Sequence, residues 1–238
     1  MTSFGVAVAL AALVGLWLFD RERRRSGLPD STLDAAMAGV FGGLAGAKIV
    51  WAIEHAGGEG PFLNLLLSRG GLSWFGGFAG GLLAGVLVLR RRRLSILKVL
   101  AAAAPALAVA HAIGRIGCFL VGDDYGIPST LPWAVAFPEG LPPTSTPVHP
   151  TQLYETAALL PIAWLLYRWR REGRSDWFVL GAYLASTGLV RFGIEFLRVR
   201  QSLVGPFAVA HVFSFAALCI GVALLTVRTG SGLPRRIA

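Results

Sequence analysis

Apolar and polar positions follow one another along this chain in long blocks. Seven apolar runs have about the length a bilayer-crossing helix requires: residues 4–19, 33–55, 72–89, 94–113, 151–167, 177–197 and 206–227. Residues 61–67, between the second and third runs, are expected to lie in the membrane interface. One interruption, residues 111–155, is much longer than the rest. It holds Arg115, the adjacent Asp123 and Asp124, His111 and His149, and many of the prolines. Polar groups at this density between two spans must be paired or face a water-filled cavity, because hydrocarbon satisfies neither charge nor irregular backbone. The pattern predicts an all-α, polytopic membrane protein of seven transmembrane helices. It is read as a single domain over residues 1–238 with an outward-facing polar segment at 114–150.

Composition supports the membrane assignment. The chain is 55% hydrophobic and only 15% charged, against about 25% charged in soluble domains. Where the charge sits says more than its total of +9. Arg21, Arg23, Arg24 and Arg25 follow the first run, Arg90 to Arg93 with Lys98 the third, Arg168, Arg170, Arg171 and Arg174 the fifth, and Arg228, Arg235 and Arg236 the seventh. All four clusters then fall on one side, which the positive-inside rule makes the cytoplasm. The N-terminus is expected outside and the C-terminus inside. Apolar spans separate the clusters, so they form no continuous face for nucleic acid. A basic cluster after the first run, with none before it, argues for a retained span over a cleaved signal peptide. The two cysteines, Cys118 and Cys219, have neither zinc spacing nor a disulfide framework.

Candidate chemistry gathers at the outer ends of spans. Arg191, Glu195 and Arg198 are spaced i, i+4, i+7 and share a helical face near the end of the sixth. His111 and Arg115 share the i, i+4 relation near the end of the fourth. Arg115 and Arg191 therefore lie at similar depth, and two guanidiniums there suit the phosphate of a phospholipid, which their planar forks bind bidentately. The plainer alternative is that Arg191 and Glu195 only pair with each other. One of Asp123 and Asp124 is expected to pair with Arg115 and the other to orient a base, unless Gly-Asp-Asp-Tyr-Gly is simply a turn. His149 and Pro150 precede a helix start. Lys48 either snorkels or pairs with a carboxylate. Glycines at 39, 42, 43 and 46 and at 76, 77, 80, 81 and 85 have the spacing of closely packed membrane helices. No internal repeat supports a transporter.

At Gly114-Arg115-Ile116-Gly117-Cys118-Phe119 the sequence resembles the bacterial prolipoprotein diacylglyceryl transferases. Ser3-Phe4-Gly5, Gly70 to Gly77, Gly114 to Gly126, His149-Pro150-Thr151-Gln152-Leu153-Tyr154-Glu155 and Arg191 to Arg198 resemble that family's motifs in order. The resemblance implies transfer of the diacylglyceryl group of phosphatidylglycerol to the lipobox cysteine of a preprolipoprotein, forming a thioether and releasing glycerol phosphate. It implies the bilayer, this lipid and the lipoprotein signal peptide as partners, and no cofactor or metal. Arg115, Arg191, Glu195, His111 and Asp123 become the catalytic candidates. Arg115, Cys118, Gly126, His149, Arg191 and Arg198 become those that bind the lipid.

Departures at four residues in three of the motifs accompany the resemblance. The family's first-span tyrosine is Phe4 here. Its signature asparagine and glutamate are Cys118 and Asp123. The histidine of its Gly-Gly-x-x-x-His-Gly-Gly motif is Phe75, which cannot move a proton. His111 is the first candidate for a replacement base, with Asp123 and His149 next, unless the thiol reacts as thiolate unaided. The competing reading is a catalytically silent homologue that binds phospholipid or signal peptide.

Overall fold

The computed structural model describes residues 2–58, 60–68, 71–198 and 209–226. Residues 206–208 and Val227 of the seventh expected span, Arg69, Gly70 and Arg200, and the basic cluster of Arg228, Arg235 and Arg236 lie outside the described residues. The helices are α1 (Thr2–Arg25), α2 (Ser31–His55), α3 (Phe62–Leu67), α4 (Trp74–Arg91), α5 (Ile96–Val121), α6 (Thr151–Arg171), α7 (Asp176–Glu195) and α8 (Val209–Thr226). Between α5 and α6, β1 (Val135–Phe137) and β2 (Thr144–Val148) pair antiparallel.

Among the described residues five helices are long and apolar enough to cross a membrane: α1, α2, α5, α7 and α8. The expectation of seven is therefore met only in part. Helices α4 and α6 coincide with two further expected spans, but charge dilutes both. Arg90 and Arg91 end the 18 residues of α4, and α6 carries Glu155 with Arg168, Arg170 and Arg171. Large apolar side chains such as Leu13, Phe41, Leu83 and Phe215 stand exposed on the helices, as on a lipid-facing surface.

Two features differ from the expected all-α pattern. Helix α5 continues to Val121, so the first residues of the segment read as an outward polar loop are helical. The hairpin was not expected from a stretch rich in proline. Its longer strand is Thr-Ser-Thr-Pro-Val, in which β-branched residues favour the strand and Pro147 is tolerated in so small a sheet. Tyr125, Phe137 and Val148 form a small core beneath it.

The chain divides into two compact units, Asp20–Val99 and Met1–Phe19 with Leu100–Ala238. In the first, α2 packs on α4 through the expected glycines. A methyl group at Gly46 would run into the Gly76 carbonyl, and one at Gly80 into that of Gly42. Arg23 closes the α1–α2 turn by bonding Asp20 and Asp30. Among the described residues Lys48 has no carboxylate partner; it bonds Ser68 at 3.3 Å and lies over the Trp51 ring. In the second unit, small residues of α5 (Ala101, Ala104, Ala108) pack with Ala163 and Leu166 of α6 and Val179 and Ala182 of α7. The end of α5, the start of α6 and the end of α7 thereby come together, and their polar side chains meet there.

Candidate active site

The polar cluster is built on three helices and one loop. Helix α5 brings His111 and Arg115. The first turns of α6 turn Thr151, Gln152, Glu155 and Thr156 inward, all buried. The end of α7 brings Arg191 and Glu195, with Arg198 just beyond. The loop after α5 supplies Asp123 and Asp124. Its backbone is tied to α6: Gln152 Nε2 donates to the Asp123 carbonyl (2.5 Å) and Thr151 Oγ1 to that of Asp124 (2.9 Å). Gly126 N donates to the His149 carbonyl and Ile127 N to that of Leu197. A side chain at Gly126 would meet Leu197 O at 2.5 Å, so the close approach this glycine permits is between protein segments.

Three arginines and three carboxylates alternate in a closed ring. Arg115 Nε lies 2.9 Å from Glu155 Oε2, though off hydrogen-bond alignment. Arg191 reaches that oxygen at 3.6 Å and Glu195 at 2.9 Å. Arg198 contacts Glu195 at 3.5 Å and pairs with Asp124. Asp124 accepts from Arg115 Nη1 at 3.1 Å, closing the ring. His111 Nε2 joins from outside, 3.3 Å from the other Glu155 oxygen. Glu155 and Glu195 are only 2% and 4% exposed. A buried carboxylate is costly unless cations surround it, and here they do. Arg115 Nη2 is buried with no hydrogen-bond partner among the described residues. It is a donor left available for an anion.

The expected residues are thus brought together unevenly. Arg115, Arg191, Glu195, Arg198 and His111 all belong to the cluster. Arg191 and Glu195 do pair, but within a larger network. Of the two aspartates, Asp124 takes the arginine partner and Asp123 stands beside Cys118. Burial pushes the Asp123 carboxyl above the ordinary carboxylate range, and the adjacent Asp124 charge adds to this. The Cys118 thiol and the Arg115 and Arg198 cations pull the other way. His149 is outside the ring, bonded to Tyr154 OH at 3.2 Å. Phe4 lies against Gly117 of α5. Phe75 belongs to the other unit, in the first turn of α4, edge-on to Trp74.

Glu155 is the residue that sequence reasoning missed. In the sequence it stands only as the last residue of a motif, yet it holds Arg115, Arg191 and His111 together. The available signal was that α6 contains no other carboxylate, and a lone acid in an apolar helix demands a partner. Cys118, Asp123 and Asp124 offer ligand atoms within 4.8 Å of one another. Two arginines already hold Asp124, which opposes a cation there.

A model of the family described as prolipoprotein diacylglyceryl transferase matches residues 1–227. The chain belongs to the prolipoprotein diacylglyceryl transferase family. The phosphatidylglycerol–prolipoprotein diacylglyceryl transferase of Pseudomonas putida is 32% identical over 223 residues, covering 89% of this chain and 82% of that protein. The enzyme of the same name from Geobacter sulfurreducens is 30% identical over 234 residues, covering 93% and 88%. That of Clostridium tetani is 28% identical over 228 residues, covering 94% and 92%. As a diacylglyceryl transferase family member, the chain gathers two of its matching motifs, His149 to Glu155 and Arg191 to Arg198, with the Arg115 segment in one unit.

Proposed function

We propose that this protein transfers the diacylglyceryl group of phosphatidylglycerol to the cysteine thiol of a lipoprotein precursor at the arginine–carboxylate ring. The observation that carries this reading is the cluster of buried Arg115 with half-buried Arg191 and Arg198, with Arg115 Nη2 still free to donate. The sulfur attacks the glyceryl carbon that bears the phosphoester oxygen. The carbon–sulfur bond forms, the carbon–oxygen bond breaks, and its electron pair leaves on glycerol phosphate. The phosphate gains negative charge as it departs. Fixed guanidiniums aimed at that charge lower the barrier without reorganising.

Arg115, Arg191 and Arg198 bind the phosphate and stabilise the leaving group, and Glu195 holds Arg191 in place. The acceptor thiol has an ordinary pKa near 8.5, so it needs a base. His111 takes the proton: its side chain is 40% exposed, and Glu155 orients the ring from 3.3 Å away. Asp123 and Cys118 line the approach next to the ring. The basic ends of α1, α4 and α6 support seven crossings with the N-terminus outside. The ring then faces the outer side of the inner membrane, where precursors arrive.

The test is a transfer assay with detergent-purified protein, phosphatidylglycerol and a lipobox peptide. The expected result is a diacylglyceryl mass gain on the cysteine together with free glycerol phosphate, both lost in Arg115→Ala and Arg191→Ala. Lipid binding without either product would overturn the reading in favour of a silent homologue, the alternative that Phe75 motivates.

A further inference from the structure

The carboxylates of the ring are not equivalent. The Glu155 and Glu195 side chains are 2% and 6% exposed and are fixed in helices, whereas the Asp124 side chain is 47% exposed and stands on a loop. Asp124 bridges Arg115 Nη1 and Arg198 Nη2 as a phosphate oxygen pair would. Its backbone does not depend on that bridge, because Thr151 holds its carbonyl and Gln152 the carbonyl before it. With φ of 58° the residue sits in the left-handed region, which aspartate and glycine tolerate better than most.

Charge counting points the same way. Three arginines against Asp124, Glu155 and Glu195 leave the ring neutral. Moving Asp124 out to solvent leaves one surplus positive charge, which matches the single negative charge of a phosphodiester.

We propose that the Asp124 carboxylate is a built-in stand-in for the lipid phosphate, sitting between Arg115 and Arg198 where the headgroup binds and giving way to it. Asp124 is thus a gatekeeping residue of the proposed transfer site, and the inference rests on that reading. The side chain keeps two buried guanidiniums paired between turnovers. It also competes with glycerol phosphate, helping the product to leave. A bound form reached only when Asp124 swings out lowers apparent affinity by the fraction of time it is out.

The experiment compares Asp124→Asn, Asp124→Gly and Asp124→Glu with the parent enzyme in the transfer assay and in calorimetric titrations with glycerol phosphate. Asparagine keeps the size and loses the charge; glycine suits the left-handed backbone and secures the test if asparagine misfolds. For either, KM for phosphatidylglycerol and Kd for glycerol phosphate are expected to fall by roughly tenfold, if Asp124 is out about a tenth of the time. A drop in kcat from slower product release accompanies this. Asp124→Glu keeps the charge and shows no such fall. Unchanged or raised KM and Kd in both neutral variants would overturn the inference. The titration needs no turnover, so a parent protein without transferase activity would sink the function proposal while the Asp124 comparison still reads out.

Discussion

Glu155→Gln changes one oxygen to nitrogen and leaves Arg115 and Arg191 without their common anion. Transfer is expected to fall by about 10² to 10³ in kcat/KM, the scale of losing an oriented electrostatic contact. The variant should also unfold more easily, since breaking a buried ion pair costs about 3–5 kcal/mol. Activity measured alongside thermal unfolding in detergent separates the two effects. If Glu155→Gln kept full turnover, the ring would not be the reaction centre. Asp123 carries a second expectation. Its carboxyl is raised by burial and by Asp124. A raised carboxyl favours the folded state fully below its unfolded pKa, near 3.9, and loses that contribution as pH rises through the folded value. Asp123→Asn, which cannot ionise, is therefore expected to gain stability relative to the parent as pH rises from 4 to neutrality. Unfolding curves of the two proteins across that range give the answer; a constant difference would mean Asp123 is not perturbed.

Among the elements, α2 and α4 depend on glycine at the points where their backbones touch. Gly46→Leu or Gly80→Val forces a side chain against a carbonyl. Overpacking of this kind costs about 1–3 kcal/mol or more, which should lower the unfolding temperature, while Gly58→Ala, where nothing lies within 4 Å, should leave it near the parent value. This contact was legible beforehand because small-xxx-small spacing is a property of each helix alone. The Arg191–Glu195 pair was legible for the same reason, whereas Arg198, expected on the same helical face, lies beyond the end of α7 and pairs its backbone with Gly126. Closure of the ring was not legible. Glu155, Arg115 and Asp124 come from three different segments, and periodicity places residues on faces without saying which faces meet. The hairpin was hidden for another reason. Strands of three and five residues leave almost no alternation to detect, and prolines obscure what remains. Helix α5 outruns the 94–113 apolar run because glycines at 114 and 117 interrupt the pattern there, although contacts of Gly117 with α1 and of Arg115 with Glu155 of α6 keep the stretch helical.

For the whole molecule the proposed topology makes a labelling prediction. A cysteine at Ser129, beside the hairpin, should react with a membrane-impermeant thiol reagent added to spheroplasts. One at Gly173, in the α6–α7 turn, should react only after lysis. The reverse pattern would invert the protein and remove the ring from the side where precursors emerge. The unexpected extent of α5 bears on how a lipid meets the ring. Arg115 lies 19 residues beyond Ile96 where the helix begins, about 29 Å along its axis, close to the ~30 Å thickness of the hydrocarbon layer. In the proposed topology, with Ile96 at the inner boundary, the guanidinium is level with the phosphates of the outer leaflet. On that topology a donor lipid would reach the ring from the leaflet with its tails still among their neighbours. Donors differing only in acyl length should be consumed at similar rates.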